Sequence, residues 1–222
     1  MKTKLAKLSC GLALLGAGAS ALAQTSFNMQ IVADNSFAVL TGTSSSINNL
    51  IYQNNQAWPD QLSALSTLNF NLPSGDTTFY LLGMGGGGEE NISGTLNGVD
   101  ITTLSISMSS DLAPYLSGYL TGPGVSDPSV AAGTYVVNLT DVQGAFSGLT
   151  WGSPNFNNSD GVIQSAMSTL SVAGGYHFDA NTAPLFQFNA TDVGLTPVPE
   201  PATLALAGLG GLGMLWQLRR RK

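Results

Sequence analysis

Between positions 27 and 188 the apolar residues fall in short runs: 27–32, 37–40, 50–52, 68–72, 78–84, 101–108, 135–139, 167–172 and 185–188. Several alternate with polar residues. Leu104, Ile106 and Met108 fall on one side, and Ser105, Ser107 and Ser109 on the other. The stretch 174–179 alternates in the same way. A period of two is that of a strand with one buried face. Turn formers separate the runs: Ala33-Asp34-Asn35, Pro73-Ser74-Gly75-Asp76, Asn97-Gly98 and Thr121-Gly122-Pro123-Gly124. The pattern predicts an all-β fold, an antiparallel β-sandwich or jelly roll. Helix is expected only near 60–68, where Leu62, Leu65 and Leu68 share a side.

The pattern changes at both ends. Lys2, Lys4 and Lys7 precede a short apolar stretch, and Ala21-Leu22-Ala23 follows it. This order predicts a secretory signal peptide over 1–23, cut between Ala23 and Gln24 by signal peptidase after passage through the Sec translocon. The only cysteine, Cys10, lies inside it. The mature chain is therefore expected to hold no disulfide and no thiolate metal site. At the other end, Pro197-Val198-Pro199-Glu200-Pro201 leads into 202–218, apolar except for Thr203 and Gln217. A helix of that length reaches about 25 Å, enough for a thin bilayer. Arg219, Arg220, Arg221 and Lys222 then act as the membrane stop and stay cytoplasmic, leaving the body outside. Three segments result: signal peptide 1–23, a β-sandwich body 24–196 and a C-terminal sorting signal 197–222. The body reads as one domain, with two small ones as the alternative.

Charge sharpens this division. The whole chain carries −6, yet all seven basic residues lie in the two terminal clusters. Between Gln24 and Val198 stand twelve acidic residues and no Lys or Arg, so the body carries −12. Such a body lacks the electrostatic footprint of a nucleic-acid binder. It also lacks the lysine or arginine that grips a transferring phosphate.

Candidate chemistry is thin. His177 is the only histidine. A Ser-His-Asp triad would have to use it, with Asp179 nearby, but no G-x-S-x-G elbow exists. One histidine and no mature cysteine exclude the usual zinc ligand sets. Gly85-Gly86-Gly87-Gly88-Glu89-Glu90-Asn91 lacks the GK[ST] end of a phosphate loop. It reads as an exposed loop, or as a cation or glycan contact through Glu89 and Glu90. Asn155–Gly161 resembles a calcium loop only faintly, because Asn155 stands at its first position and Asp160 at its sixth. Trp58 and Trp151 fit either a sugar-stacking or a core role. No catalytic residue, metal ligand or cofactor is assigned, although a body at −12 concentrates divalent cations around it.

Pro199-Glu200-Pro201, the short apolar helix and the basic terminus, in that order, resemble the PEP-CTERM sorting signal of exported Gram-negative proteins. The resemblance implies recognition by exosortase, a membrane cysteine protease or transpeptidase. It implies a passing stay in the inner membrane, removal of the tail near the Pro-Glu-Pro motif, and delivery to the cell surface or matrix. Such tails also carry the label of an ice-binding protein C-terminal domain, which describes the tail and not what the body binds. Within the body, Ala33-Asp34-Asn35-Ser36-Phe37, Trp58 and Gly75-Asp76 occur in an order that resembles galactose-binding-like β-sandwiches. The expectation is a non-enzymatic surface or exopolysaccharide-matrix protein. A lectin-like carbohydrate-binding module is the alternative, and a secreted hydrolase the third reading.

Overall fold

The computed structural model describes residues 26–34, 36–54, 56, 58–62, 66–69, 71–88, 90–119 and 135–195. The signal peptide with its Ala23–Gln24 cut, Glu89, and the whole sorting signal with Pro199, Glu200, Pro201, Arg219, Arg220, Arg221 and Lys222 lie outside them. So does the expected membrane helix. No helix among the described residues is long and apolar enough to cross a membrane.

Two antiparallel six-stranded sheets form the body. The first contains β1 (Ser26–Ala33), β4 (Ser66–Asn69), β6 (Glu90–Leu96), β7 (Val99–Asp100), β10 (Asn155–Asn157) and β11 (Gly175–Phe178). Its order is β10-β11-β6-β1-β4, with β7 also paired to β6. The second contains β2 (Ser36–Thr43), β3 (Ser46–Asn54), β5 (Thr78–Met84), β8 (Ser107–Ser109), β9 (Trp151–Gly152) and β12 (Leu185–Asn189). Its order is β3-β2-β5-β12-β8-β9. All-β is thus the right class.

The inner faces share one core. Phe27, Met29 and Ile31 of β1, and Ile92 and Leu96 of β6, meet Val39 of β2, Phe79 and Leu81 of β5, and Phe186 and Phe188 of β12. Phe79 packs against Phe27 and Phe188 with ring centroids 5.2 and 5.1 Å away. Each fully buried ring of this kind contributes about 2–3 kcal/mol of transfer free energy.

A second cluster explains why 37–40 and 79–82 are unbroken apolar runs rather than alternating ones. Ala38, Leu40, Tyr80, Leu82 and Leu185 point away from the sandwich core and pack under Leu116, Tyr119, Val142 and Phe146. The second sheet is therefore covered on both faces, and a strand covered on both faces loses its alternation. After the short α1 (Trp58–Gln61), two longer helices follow: α2 (Leu139–Phe146), which supplies part of that cover, and α3 (Gly161–Leu170). α3 sits on the outer face of the first sheet, against β6 and β1.

Here two strand expectations fail. Residues 167–170 lie in α3, and 135–138 form no strand but lead into α2. Helix start signals decide both cases. Asn138 accepts from the Thr140 N–H at 3.0 Å, and Asp160 accepts from the Val162 N–H at 2.8 Å. The buried residues Val142, Ala145 and Phe146, and Val162, Ile163 and Ala166, follow helical spacing. The run 101–108 is also broken: Ile101–Thr103 forms a 3-10 turn, and only Ser107–Ser109 pairs as a strand. Leu104, Ile106 and Met108 nonetheless pack on the core as the alternation predicts.

Gly94 marks the tightest point of the first sheet. It has φ +134°, and a Cβ there would lie 1.9 Å from the Gln30 carbonyl oxygen. Gly94→Ala combines backbone strain with a backbone clash, so a loss of roughly 3 kcal/mol is expected. Urea unfolding followed by tryptophan fluorescence measures it, and an unchanged midpoint would contradict the closeness of β1 and β6.

Candidate functional site

The Gly-rich segment departs most from expectation. Among its described residues only Gly87 and Gly88 are exposed; Gly85 and Gly86 are buried, and Glu90 opens β6 instead of standing in a loop. Glu90 shares the inward side of β6 with Ile92 and Leu96 and is 0% exposed. Its Oε1 accepts from the Gly86 N–H at 2.9 Å, while Oε2 is buried with no hydrogen-bond partner. A contact of Glu90 with a glycan or external cation is incompatible with this placement.

Gly85 is required beside it. A Cβ at Gly85 would lie 2.7 Å from Glu90 Cγ. The Gly85 carbonyl accepts from the Tyr119 hydroxyl at 2.6 Å, and its N–H donates to the Thr182 carbonyl at 3.0 Å. Burial first, and the nearby charge of Asp34 second, push the Glu90 carboxyl up to about 8, against the opposing effect of the Gly86 N–H. Burial, then Asp160, likewise push Asp34 up to about 6. Glu90 is therefore a neutral acid at neutral pH.

Asp76, Asp100 and Asp111 serve as clips. Asp76 is 1% exposed and carries three side-chain donors. Thr41 Oγ1 donates at 2.6 Å, Asn48 Nδ2 at 2.6 Å and Asn49 Nδ2 at 2.9 Å. Asp100 accepts from Thr102 N–H at 2.8 Å, Thr102 Oγ1 at 2.8 Å and Ala173 N–H at 2.7 Å. Asp111 Oδ1 accepts from the N–H groups of Ala113 at 2.8 Å and Ala183 at 2.7 Å. Sequence reading missed these roles. The signal was present: Asp100, Asp111 and Asp160 each bind the N–H two residues on, the local turn that aspartate favours.

His177 lies on the outer side of β11, since Tyr176 and Phe178 face the core. Its register neighbours are Asn91 on β6 and Asn155 on β10. Its Nδ1 is buried with no partner. Asp179, the supposed triad partner, is exposed beyond the strand end. The calcium-like segment is spent on local structure: Asn155–Asn157 is β10, and Asp160 caps α3. Among the described residues no group of His, Cys, Asp and Glu is arranged to hold a metal ion. Trp151 is half-buried, with ring centroids 5.8 Å from Phe146 and 6.3 Å from Tyr80. Trp58 opens α1. Met108, Asp111, Asn155, Phe178, Asp179 and Thr182 stand in the wall of a cleft of about 180 Å³.

The molecule is thus a β-rich body whose candidate chemistry is dispersed, followed by a tail with its own grammar. That tail is recognised: residues 197–221 match the PEP-CTERM protein-sorting motif. The motif marks an exported protein that exosortase sorts and processes. No curated protein and no solved structure matches the chain.

The raised carboxyl groups set a pH dependence. Glu90 holds its proton more tightly in the fold than at its ordinary value of 4.5, and so does Asp34 relative to 3.8. The unfolded chain therefore binds fewer protons in this range, and stability falls as pH rises. The fall starts near the ordinary carboxyl values, and the Glu90 part is complete above about pH 8. Urea midpoints are expected to drop from pH 5 to pH 8, and Glu90→Gln should remove most of that slope. A wild-type midpoint independent of pH would contradict the burial of this carboxyl.

Proposed function

We propose that the protein is a non-enzymatic component of the cell surface or of an exopolysaccharide matrix. The PEP-CTERM motif at 197–221 carries this reading, and the composition of the body supports it. A signal peptide over 1–23 would send the chain through the Sec translocon. The apolar segment 204–218 would hold it in the inner membrane until exosortase acts near Pro199-Glu200-Pro201. The remaining body, at −12 with no Lys or Arg between Gln24 and Val198, repels anionic polysaccharide unless divalent ions bridge the two. A second reading, a lectin-like module, draws on the cleft that Asp111 and Asp179 line together with Met108 and Phe178. Binding on a glycan array that Asp179→Asn abolishes would favour it.

Two outcomes are expected. In cells without exosortase the full-length chain stays in the inner membrane, and Glu200→Ala has the same effect; normal release in both would refute the sorting assignment. Calcium or magnesium promotes retention of the purified body on the cell's own exopolysaccharide, measured by pull-down. Retention unchanged by chelator would remove the bridging role.

A further inference from the structure

We propose that ionisation of Glu90 releases the root of the 85–88 loop, so that the loop opens in alkaline solution and admits water to this end of the inter-sheet core. The count of donors carries the argument. A carboxylate has two oxygens and room for about four acceptor contacts. Asp76 and Asp100 each receive three hydrogen bonds. Glu90, more deeply enclosed than Asp100, receives one, from Gly86, and its Oε2 receives none. That arrangement suits a neutral acid and fails for a carboxylate.

Among the described residues nothing packed around Glu90 supplies the missing positive charge. Asp34 at the end of β1 and Asp160 at the start of α3 both oppose its ionisation. Tyr119, on the segment after the 3-10 turn Ala113–Tyr115, spends its hydroxyl proton on the Gly85 carbonyl. No Lys or Arg lies between Ala23 and Leu218. An ionised Glu90 must therefore be met by water, and the glycine segment lies directly against it, through the Gly86 N–H and at Gly85, where a Cβ would lie 2.7 Å from Glu90 Cγ. Gly87 and Gly88 are exposed, and nothing lies within 4 Å of where their Cβ atoms would be. The segment thus has no side chains to resist displacement. Its root is fastened by the Gly86–Glu90 bond and by the contacts of Gly85 with Tyr119 and Thr182. Ionisation leaves the first of these supporting an unsatisfied charge.

Amide hydrogen exchange of the full chain in detergent, followed from pH 6 to pH 9, tests this. Rates are corrected for the chemical acceleration of exchange by base. Protection at Gly86 is expected to fall by about tenfold or more across this range and to stay below that of Val39 and Leu81 in the β2–β5 ladder, which follow only the global stability. In Glu90→Gln, Gly86 protection stays flat with pH. In Tyr119→Phe, which frees the Gly85 carbonyl, the fall moves to lower pH. Protection at Gly86 that is independent of pH in the wild type would overturn the proposal. So would an equal fall in Glu90→Gln, or protection at Gly86 equal to that at Val39 and Leu81 throughout.

Discussion

Every carboxylate in this body has to find its partners among neutral groups, because no Lys or Arg lies between Ala23 and Leu218. A buried ion without a counter-charge costs several kcal/mol. Hydrogen bonds from N–H and O–H groups to a carboxylate recover that cost, each about twice as strong as a neutral bond. The structure applies this as tertiary fastening. Asp100 reaches Ala173, Asp111 reaches Ala183, and Asp141 reaches the Ser117 N–H at 2.9 Å. Asp76 ties Thr41, Asn48 and Asn49 to the turn before β5. Each clip joins parts of the chain that are far apart in sequence. Aspartate here does work that ion pairs do in most proteins of this size.

Layering follows from what those loops cover. The β2-β5-β12 region of the second sheet is apolar on both faces, so one side needs a lid. The segment 112–119, together with α2, provides it through Leu116, Tyr119, Val142 and Phe146. On the first sheet the outer face is polar, with Asn91, Ser93 and Thr95 buried beneath or beside α3. Ser93 there donates to the Gly174 carbonyl at 2.6 Å. The two sheets are thus alike in strand number and differ in the outer face they present, apolar on the second and more polar on the first, where α3 covers it with Val162, Ile163 and Ala166.

Much of the framework could be read from the chain. The runs that became β1, β2, β5 and β12 carry long apolar or β-branched stretches bounded by turn residues. β6 escaped notice because Glu90, Asn91, Ser93, Gly94 and Thr95 look like a loop. Its burial depends on α3 and on the loop above Glu90, which are tertiary facts. α2 and α3 were misread because short apolar runs fit either period, and the cap at Asn138 or Asp160 decides between them. At the C-terminus the opposite held. The sorting signal was fully legible, because its meaning lies in a linear order of motif, apolar stretch and basic residues. Glu90 was legible as a residue and illegible as a site, since nothing local to 85–91 announces that a carboxyl will be enclosed.

The aspartate clips also fix how the body responds to ionic strength. Bonds between a carboxylate and an amide or hydroxyl are short and partly enclosed, and dissolved ions screen them little. The mutual repulsion of the ionised carboxylates acts over longer distances, so dissolved ions weaken it more strongly. Fastening and repulsion therefore separate as salt is added. A protein held by ion pairs loosens in brine, whereas carboxylate hydrogen bonds of this kind keep their strength there.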